Sequence, residues 1–239
     1  MSWRGETASS FHDKTMKTLS IIIPCYNQDQ YLLEAIESAL AQTIPCEIIV
    51  VNDGSTDRSL EHARSYENKG VKVINQVNKG LSSARNTGIM NATGDYILPL
   101  DSDDLLLETC AEKILKIAEE TNADVIATSF KCFGNSNDVV IQQSNIIIQD
   151  FNGGNRLGYF SAIKKSVLLE VGGYSPRMTW GFEDYHLWFD IFKRNKTLFV
   201  IQEPLVLYRT KEISMITEAN KHKEELMAQI KKDHPEVFV

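Results

Sequence analysis

A chain of 239 residues with 43% hydrophobic content is long enough for one well-buried core and short for two independent ones. Its 25 Lys and Arg stand against 32 Asp and Glu, and the net charge of -7 argues against a protein that wraps nucleic acid, whose phosphates demand a basic face. The four cysteines, Cys25, Cys46, Cys110 and Cys132, are widely spaced without a Cys-x-x-Cys pair, so reduced structural thiols are expected rather than a zinc site.

Met1 to Lys17 is polar and lacks the apolar run of a signal peptide, so residues 1–17 are read as a disordered or tag-like segment. No later run approaches the length of a membrane span, and with reduced thiols this points to the cytoplasm. Leu19-Ser20-Ile21-Ile22-Ile23, halted by Pro24, reads as a strand covered on both faces. Leu32, Ala35, Ile36, Ala39 and Leu40 then carry helical spacing. Glu47 to Val51 repeats the strand signal, and Asn52-Asp53-Gly54-Ser55-Thr56-Asp57 supplies a turn and a helix start before a helix around Ser59 to Glu67. Val71 to Ile74 is the next strand, Gly80 to Met90 a helix, Tyr96 to Leu100 a strand, Ala111 to Glu119 a helix and Asp124 to Phe130 a strand. Such alternation folds by right-handed crossovers into a mainly parallel α/β sheet flanked by helices.

Beyond Lys131 the pattern changes. Val139 to Ile141 and Asn145 to Ile148 read as short β segments of a smaller mixed portion. Glu183 to Lys193 is expected as helix, Leu198 to Tyr208 as extended chain, and Thr217 to Lys232 as a final charged helix.

Ligands of open parallel sheets bind beyond the C-terminal ends of the strands. The residues there are Pro24-Cys25-Tyr26-Asn27, Asn52-Asp53-Gly54-Ser55 and Asp101-Ser102-Asp103-Asp104. Three carboxylates within four positions repel one another unless a cation or a base compensates, and a hard dication bridging carboxylate to diphosphate is one solution. The plainer alternative is that Ser102 or Asp103 caps the following helix. Arg85 shares a helix face with Leu81 and Ile89, so its charge needs buried partners, for which the nearby carboxylates or a substrate phosphate are candidates. Glu183 and Asp184 follow Trp180-Gly181-Phe182 at a helix start, where acidic residues also serve as partners of the helix dipole. His186 alone is a weak ligand signal.

Together these tracts resemble the family-two type of inverting glycosyltransferases with the GT-A fold. They are Ser20 to Asn27, Val50 to Asp57, Gly80 to Gly88, Leu100 to Asp104 and Gly181 to Asp184, all in order and spanning Leu19 to about Leu187. The resemblance implies a Rossmann-like GT-A domain over 18–216, with a nucleotide-binding half at 18–104, an acceptor half at 105–216 and a C-terminal helix at 217–239. It also implies transfer of a sugar from a nucleotide sugar, expected to be a UDP-sugar, to a saccharide or lipid-linked saccharide in polysaccharide or glycoconjugate synthesis.

By the same resemblance, Pro24, Tyr26, Asn27 and Asp53 would frame the nucleoside, and Asp101, Ser102 and Asp103 form the Asp-x-Asp motif. Asp103, with Asp101, would hold Mn²⁺ or Mg²⁺ on the diphosphate, and Arg85 would tie that motif to the phosphate region. Asp184 matches the catalytic base, supported by Glu183. Lys211 stands where such enzymes often carry His, which puts a third metal ligand in question and makes Lys211 a candidate contact to the leaving diphosphate.

Tyr174, Trp180 and Gly181, with Gly153, Gly154, Tyr159, Gly172 and Gly173, are candidates for the acceptor side, where flat rings meet sugars; turn formation and core packing are the alternative. An acceptor on a lipid would bring the chain to the inner membrane face, with the Lys-rich final helix as a membrane or dimer contact. A dinucleotide-dependent oxidoreductase would need Gly-x-Gly-x-x-Gly after the first strand, and Pro24 to Asp29 contains no glycine. The other reading is an inactive nucleotide-sugar-binding scaffold, against which both acidic motifs stand.

Overall fold

Three β-branched runs lie side by side and parallel: β2 (Glu47–Asp53) pairs with β1 (Leu19–Cys25) on one edge and with β3 (Lys72–Gln76) on the other. The computed structural model describes residues 16–212 and 214–238, so the expectation for 1–17 lies outside them except at Met16 and Lys17. Between these strands run α1 (Leu32–Leu40) and α2 (Ser59–Arg64), the latter shorter than expected because the chain passes into a 3₁₀ turn at Glu67–Lys69. The chain then crosses back through α3 (Leu81–Asn91) to β4 (Tyr96–Pro99), which pairs with the free side of β1. That reversal makes the β1–β4 boundary the switch point at which such sheets bind ligands.

After a two-residue strand β5 (Leu105–Leu106) come α4 (Cys110–Thr121), β6 (Val125–Gly134) and the short β7 (Val139–Val140). The strand expected at Asn145 to Ile148 is not formed. Instead Ile148–Gly153 is a 3₁₀ turn that buries Phe151. Three elements had no counterpart in the sequence reading, the two-residue β5, β8 (Ala162–Lys164) and α5 (Lys165–Val171). Strand β8 wedges antiparallel between β4 and β6, and its three residues are too few for periodicity to register. Next follow α6 (Glu183–Phe192) and β9 (Leu198–Thr210), and the single final helix expected at the end is two, α7 (Met215–Lys221) and α8 (Lys223–Asp233), meeting at His222.

The sheet order is β3-β2-β1-β4-β8-β6-β9-β5, with β7 on β6. This is the expected mainly parallel sheet with a mixed portion. Alternate side chains of β1 enter two cores. Ile21 and Ile23 pack with α1, α2 and α4, whereas Ile22 packs with α3, α5 and α6. Gly88 lets α3 lie close on β1, because a Cβ there would stand 2.4 Å from Ile22 Cγ2. Gly88→Ala is therefore expected to cost about 1–3 kcal/mol by overpacking, read as a lowered denaturant midpoint with unchanged slope.

Register shifts between Thr128 and Phe130 put a bulge into the β6–β9 pair, so Ile201 opposes Thr128 but Pro204 opposes Ser129. The bulge bends the second half of β9 and brings Arg209 and Lys211 to the acidic loop after β4. All four cysteines are free thiols. No helix among the described residues is long and apolar enough to cross a membrane.

Candidate active site

The ends of β1 and β2 are sewn together at the switch point. Asn27, in the left-handed region at φ 51°, donates its backbone N–H to Ser55 Oγ at 3.0 Å and accepts from Thr56 N at 2.8 Å through its side chain. Pro24 is buried and Tyr26 is 48% exposed at the rim. Asp53, only 2% exposed, accepts from Gln76 Nε2 at 2.7 Å, Lys79 N at 2.9 Å and Gly80 N at 2.8 Å. Three of its roughly four acceptor positions therefore hold the loop that leads into α3, leaving about one for an incoming donor.

Asp101 to Asp104 form a turn closed by Asp104 N donating to Asp101 O at 3.0 Å. The helix-capping alternative for Ser102 or Asp103 does not hold, since the next helix starts only at Cys110, and Ser102 is buried at 5% exposure. Tyr159 braces the turn: its hydroxyl donates to Asp104 Oδ2 at 2.6 Å and accepts from Asp101 N at 3.0 Å. From β9, Arg209 donates its backbone N–H to Asp104 Oδ1 at 2.6 Å and its Nε to Asp103 O at 2.7 Å, while Lys211 Nζ donates to Asp103 Oδ2. Arg85 thus pairs with Asp101 and Lys211 with Asp103, so a base offsets two of the three carboxylates. Asp104 takes only neutral donors and burial holds its carboxyl well above the usual carboxylate range, while the Arg209 guanidinium pairs with Glu34.

Arg85 is 1% exposed, as its apolar helix face implied, and it joins the two acidic motifs. Its Nη2 donates to Asp101 Oδ1 at 2.7 Å and its Nη1 to Glu183 Oε1 at 2.5 Å. The rings of Tyr159 and Tyr174 lie 5.0 and 5.1 Å from the guanidinium carbon. Glu183 opens α6 through a backbone that reads φ 130° at Gly181 and 62° at Phe182. The latter conformation is uncommon for a side chain of that size. A Cβ on Gly181 would meet Ala219 Cβ at 2.8 Å, so the glycine also admits α7.

Asp184, the next residue, accepts from Tyr185 N at 2.7 Å on Oδ1 and from Asn155 Nδ2 at 2.7 Å on Oδ2. Burial first, and the neighbouring Glu183 charge second, push its carboxyl up to about 7, against the opposing pull of Arg85 and these hydrogen bonds. Burial likewise lifts Asp101 to about 6, with Arg85 opposing. Tyr174 is 3% exposed and Asn86 clasps its backbone through both N–H and C=O, each at 2.8 Å. A Cβ at Gly173 would stand 2.3 Å from Asn86 Oδ1, so the Gly-Gly-Tyr run serves this close approach. Trp180, 42% exposed and stacked on His222 at 4.3 Å, is the ring that remains accessible.

The acidic turn suits a hard cation in its donor chemistry. Arg85 takes one oxygen of Asp101 and Lys211 one of Asp103, so Asp101 Oδ2 and Asp103 Oδ1 are left without protein donors among the described residues. Two such oxygens fit a cation that completes its shell with water and phosphate oxygens, rather than one caged by protein.

Asn155 and Arg209 have places here that the sequence reading did not assign, and Tyr159, expected on the acceptor side, is buried and braces the acidic turn instead. The nearness of Arg209 to Lys211 in the chain was the one visible signal for it; Asn155 had none. The family described as Glycosyl transferase family 2 matches residues 20–187. The chain is 44% identical over 115 residues to the uncharacterized glycosyltransferase EpsJ of Bacillus subtilis, an alignment covering 47% of this chain and 33% of that protein. It is 37% identical over 144 residues to a chondroitin synthase of Escherichia coli, covering 58% and 20% respectively. The structure of S. aureus TarS residues 1–349 in complex with UDP-GlcNAc superposes with a TM-score of 0.78 at 21% identity, over 89% of this chain and 65% of that one. The chain thus spans about a third or less of the length of these two curated relatives.

Proposed function

From the premise that the chain belongs to glycosyl transferase family 2, we propose that it transfers a sugar from a nucleoside diphosphate donor to an acceptor hydroxyl in glycan synthesis, inverting the anomeric carbon. The single observation that carries this reading is the buried Arg85, whose two nitrogens hold Asp101 of one acidic motif and Glu183 of the other. Residues far apart in sequence thereby share one centre, with Asp184 beside it. A UDP-sugar is the proposed donor, supported by the UDP-GlcNAc carried by TarS. The nucleoside-binding residues are assigned to 18–104 and the acceptor residues to 105–216, from which Arg209 and Lys211 reach back to the diphosphate; α7 and α8 follow.

In the proposed reaction the acceptor oxygen forms a bond to the anomeric carbon as the bond from that carbon to the diphosphate oxygen breaks. The hydroxyl proton passes to Asp184, and the nucleoside diphosphate leaves with the bonding electrons. General-base assistance of this kind contributes typically ~10²- to 10⁴-fold. Asn155 and the Tyr185 N–H fix the carboxylate, and Arg85 holds Glu183 away from it as a paired charge. Lys211 and Arg209 supply positive charge at the turn where the diphosphate would lie. Asp103 Oδ1 and Asp101 Oδ2 would hold Mn²⁺ or Mg²⁺, which supplies further neutralisation of the leaving group when bound.

A panel of nucleotide sugars, read by thermal stabilisation and by release of nucleoside diphosphate with and without Mn²⁺, tests this reading. One donor is expected to stabilise the protein and be turned over, and Asp103→Ala is expected to weaken that donor at least tenfold. Binding without any release of diphosphate would favour the scaffold reading, and no response to any donor would end the proposal.

A further inference from the structure

Helix α6 carries a second polar cluster, separate from the acidic centre at its first turn. His186 and Asp190 share one face, four positions apart, and the end of α8 brings Asp233 and His234 against them. These groups line a cavity of about 370 Å³ that also includes Ser175 and Lys193. Among the described residues, three buried polar atoms of this lining have no hydrogen-bond partner: Ser175 Oγ, His186 Nδ1 and His234 Nε2. The two imidazoles are 3% and 1% exposed, so an occupant of the cavity has to meet that need.

The tautomer of His186 sharpens the point. Its Nε2 lies 3.0 Å from Asp233 Oδ2, which fixes the ring proton there and leaves a lone pair on Nδ1. Asp190 Oδ2 is 3.2 Å from Nδ1 without making a hydrogen bond to it, so with the proton on Nε2 two acceptor atoms sit side by side. Neighbouring ligands of a tetrahedral dication with bonds of about 2.0–2.1 Å stand roughly 3.3 Å apart, close to the 3.2 Å of this one pair. One ligand atom from each of His186, Asp190 and His234 lies within 4.8 Å of the others.

We propose that His186, Asp190 and His234 form a site for a transition-metal dication of the zinc type, which ties the C-terminal end of α8 to helix α6. Two imidazoles and one carboxylate suit such a cation better than Mg²⁺ or Ca²⁺, which prefer oxygen. Asp233 orients His186 from behind, in the carboxylate–histidine–metal arrangement. Lys193 Nζ now contacts Asp190 Oδ1 at 3.0 Å and His234 Nδ1 at 3.1 Å, and Glu236 Oε1 stands 3.9 Å away to receive the ammonium once the cation enters. A proton on His186 shared between Asp190 and Asp233 is the alternative occupant.

The test is dialysis of the full chain against Zn²⁺ or Co²⁺, removal of free metal, elemental analysis and the visible spectrum of the Co²⁺ form. Wild type and Asp103→Ala are each expected to retain about one equivalent, with the intense visible bands of four-coordinate Co²⁺ bound through nitrogen. His234→Gln and Asp190→Asn are expected to lose it while keeping a cooperative melt. Zn²⁺ is expected to raise the melting temperature of wild type and not of these two variants. Absence of a retained equivalent in wild type, or its equal retention in His234→Gln, overturns the site in favour of the shared proton. Loss confined to Asp103→Ala would assign the metal to the acidic turn instead, so this outcome is independent of the proposed transfer activity.

Discussion

Asp184→Asn is expected to lower transfer by roughly 10²- to 10⁴-fold while donor affinity changes little, because the amide keeps the shape of the side chain and cannot take up a proton. The wild-type rate should fall off on the acid side of about pH 7, where burial and Glu183 have moved the Asp184 carboxyl. That limb should be absent from the residual activity of the variant. The same shift has a consequence for stability. A carboxyl with a raised folded-state value keeps its proton while the unfolded chain loses it near pH 4, so stability falls as pH rises between about 4 and 7. Asn removes that dependence, and the variant should melt at or above the wild-type temperature at pH 8. Turnover equal to wild type would take the base role away from Asp184. A melting temperature several degrees lower at pH 8 would show the carboxylate to be a stabilising partner rather than a buried liability.

Arg85→Ala should be the most damaging single change to the fold around the centre. The guanidinium is buried and spans Asp101 and Glu183, so its removal leaves a buried carboxylate, Glu183, and a half-buried one, Asp101, without compensation. Breaking a buried pair in this way costs about 3–5 kcal/mol. The loss should be larger at pH 8 than at pH 5, because the Asp101 carboxyl, already lifted to about 6, accepts a proton at the lower pH and relieves the repulsion. Denaturant unfolding at the two pH values measures both quantities. Arg85→Lys should recover only part of the loss, since a single ammonium cannot reproduce the two-armed fork. A cost below about 1 kcal/mol, or one independent of pH, would mean that the bridge does not hold the two motifs together.

The first half of the fold was legible because its strands are long and β-branched. Ile21 to Ile23 and Ile48 to Val51 each carry their own signal, and all are buried. The burial of Arg85 was legible for a related reason, since its position between Leu81 and Ile89 placed it on the core side of α3 whatever its partners. The five tracts between Ser20 and Asp184, four of them acidic or glycine-bearing, announced the family without any contact being known.

What only the tertiary structure decided are the pairings across long stretches of chain. Asn155 meets Asp184 over 29 positions, Tyr159 meets Asp104 over 55, and Arg209 meets Asp104 over 105. No local period encodes such meetings. They depend on a three-residue antiparallel strand, β8, too short to signal itself, and on the bulge that bends β9 toward the acidic turn. The sequence by itself determined which residues must be buried and which charges would need partners, because burial follows from local pattern and the cost of an unpaired charge is general. Which partner each charge received, Glu183 for Arg85 and Lys211 for Asp103, was decided by how the sheet closes, because side-chain contacts a few ångströms long depend on where the whole backbone runs.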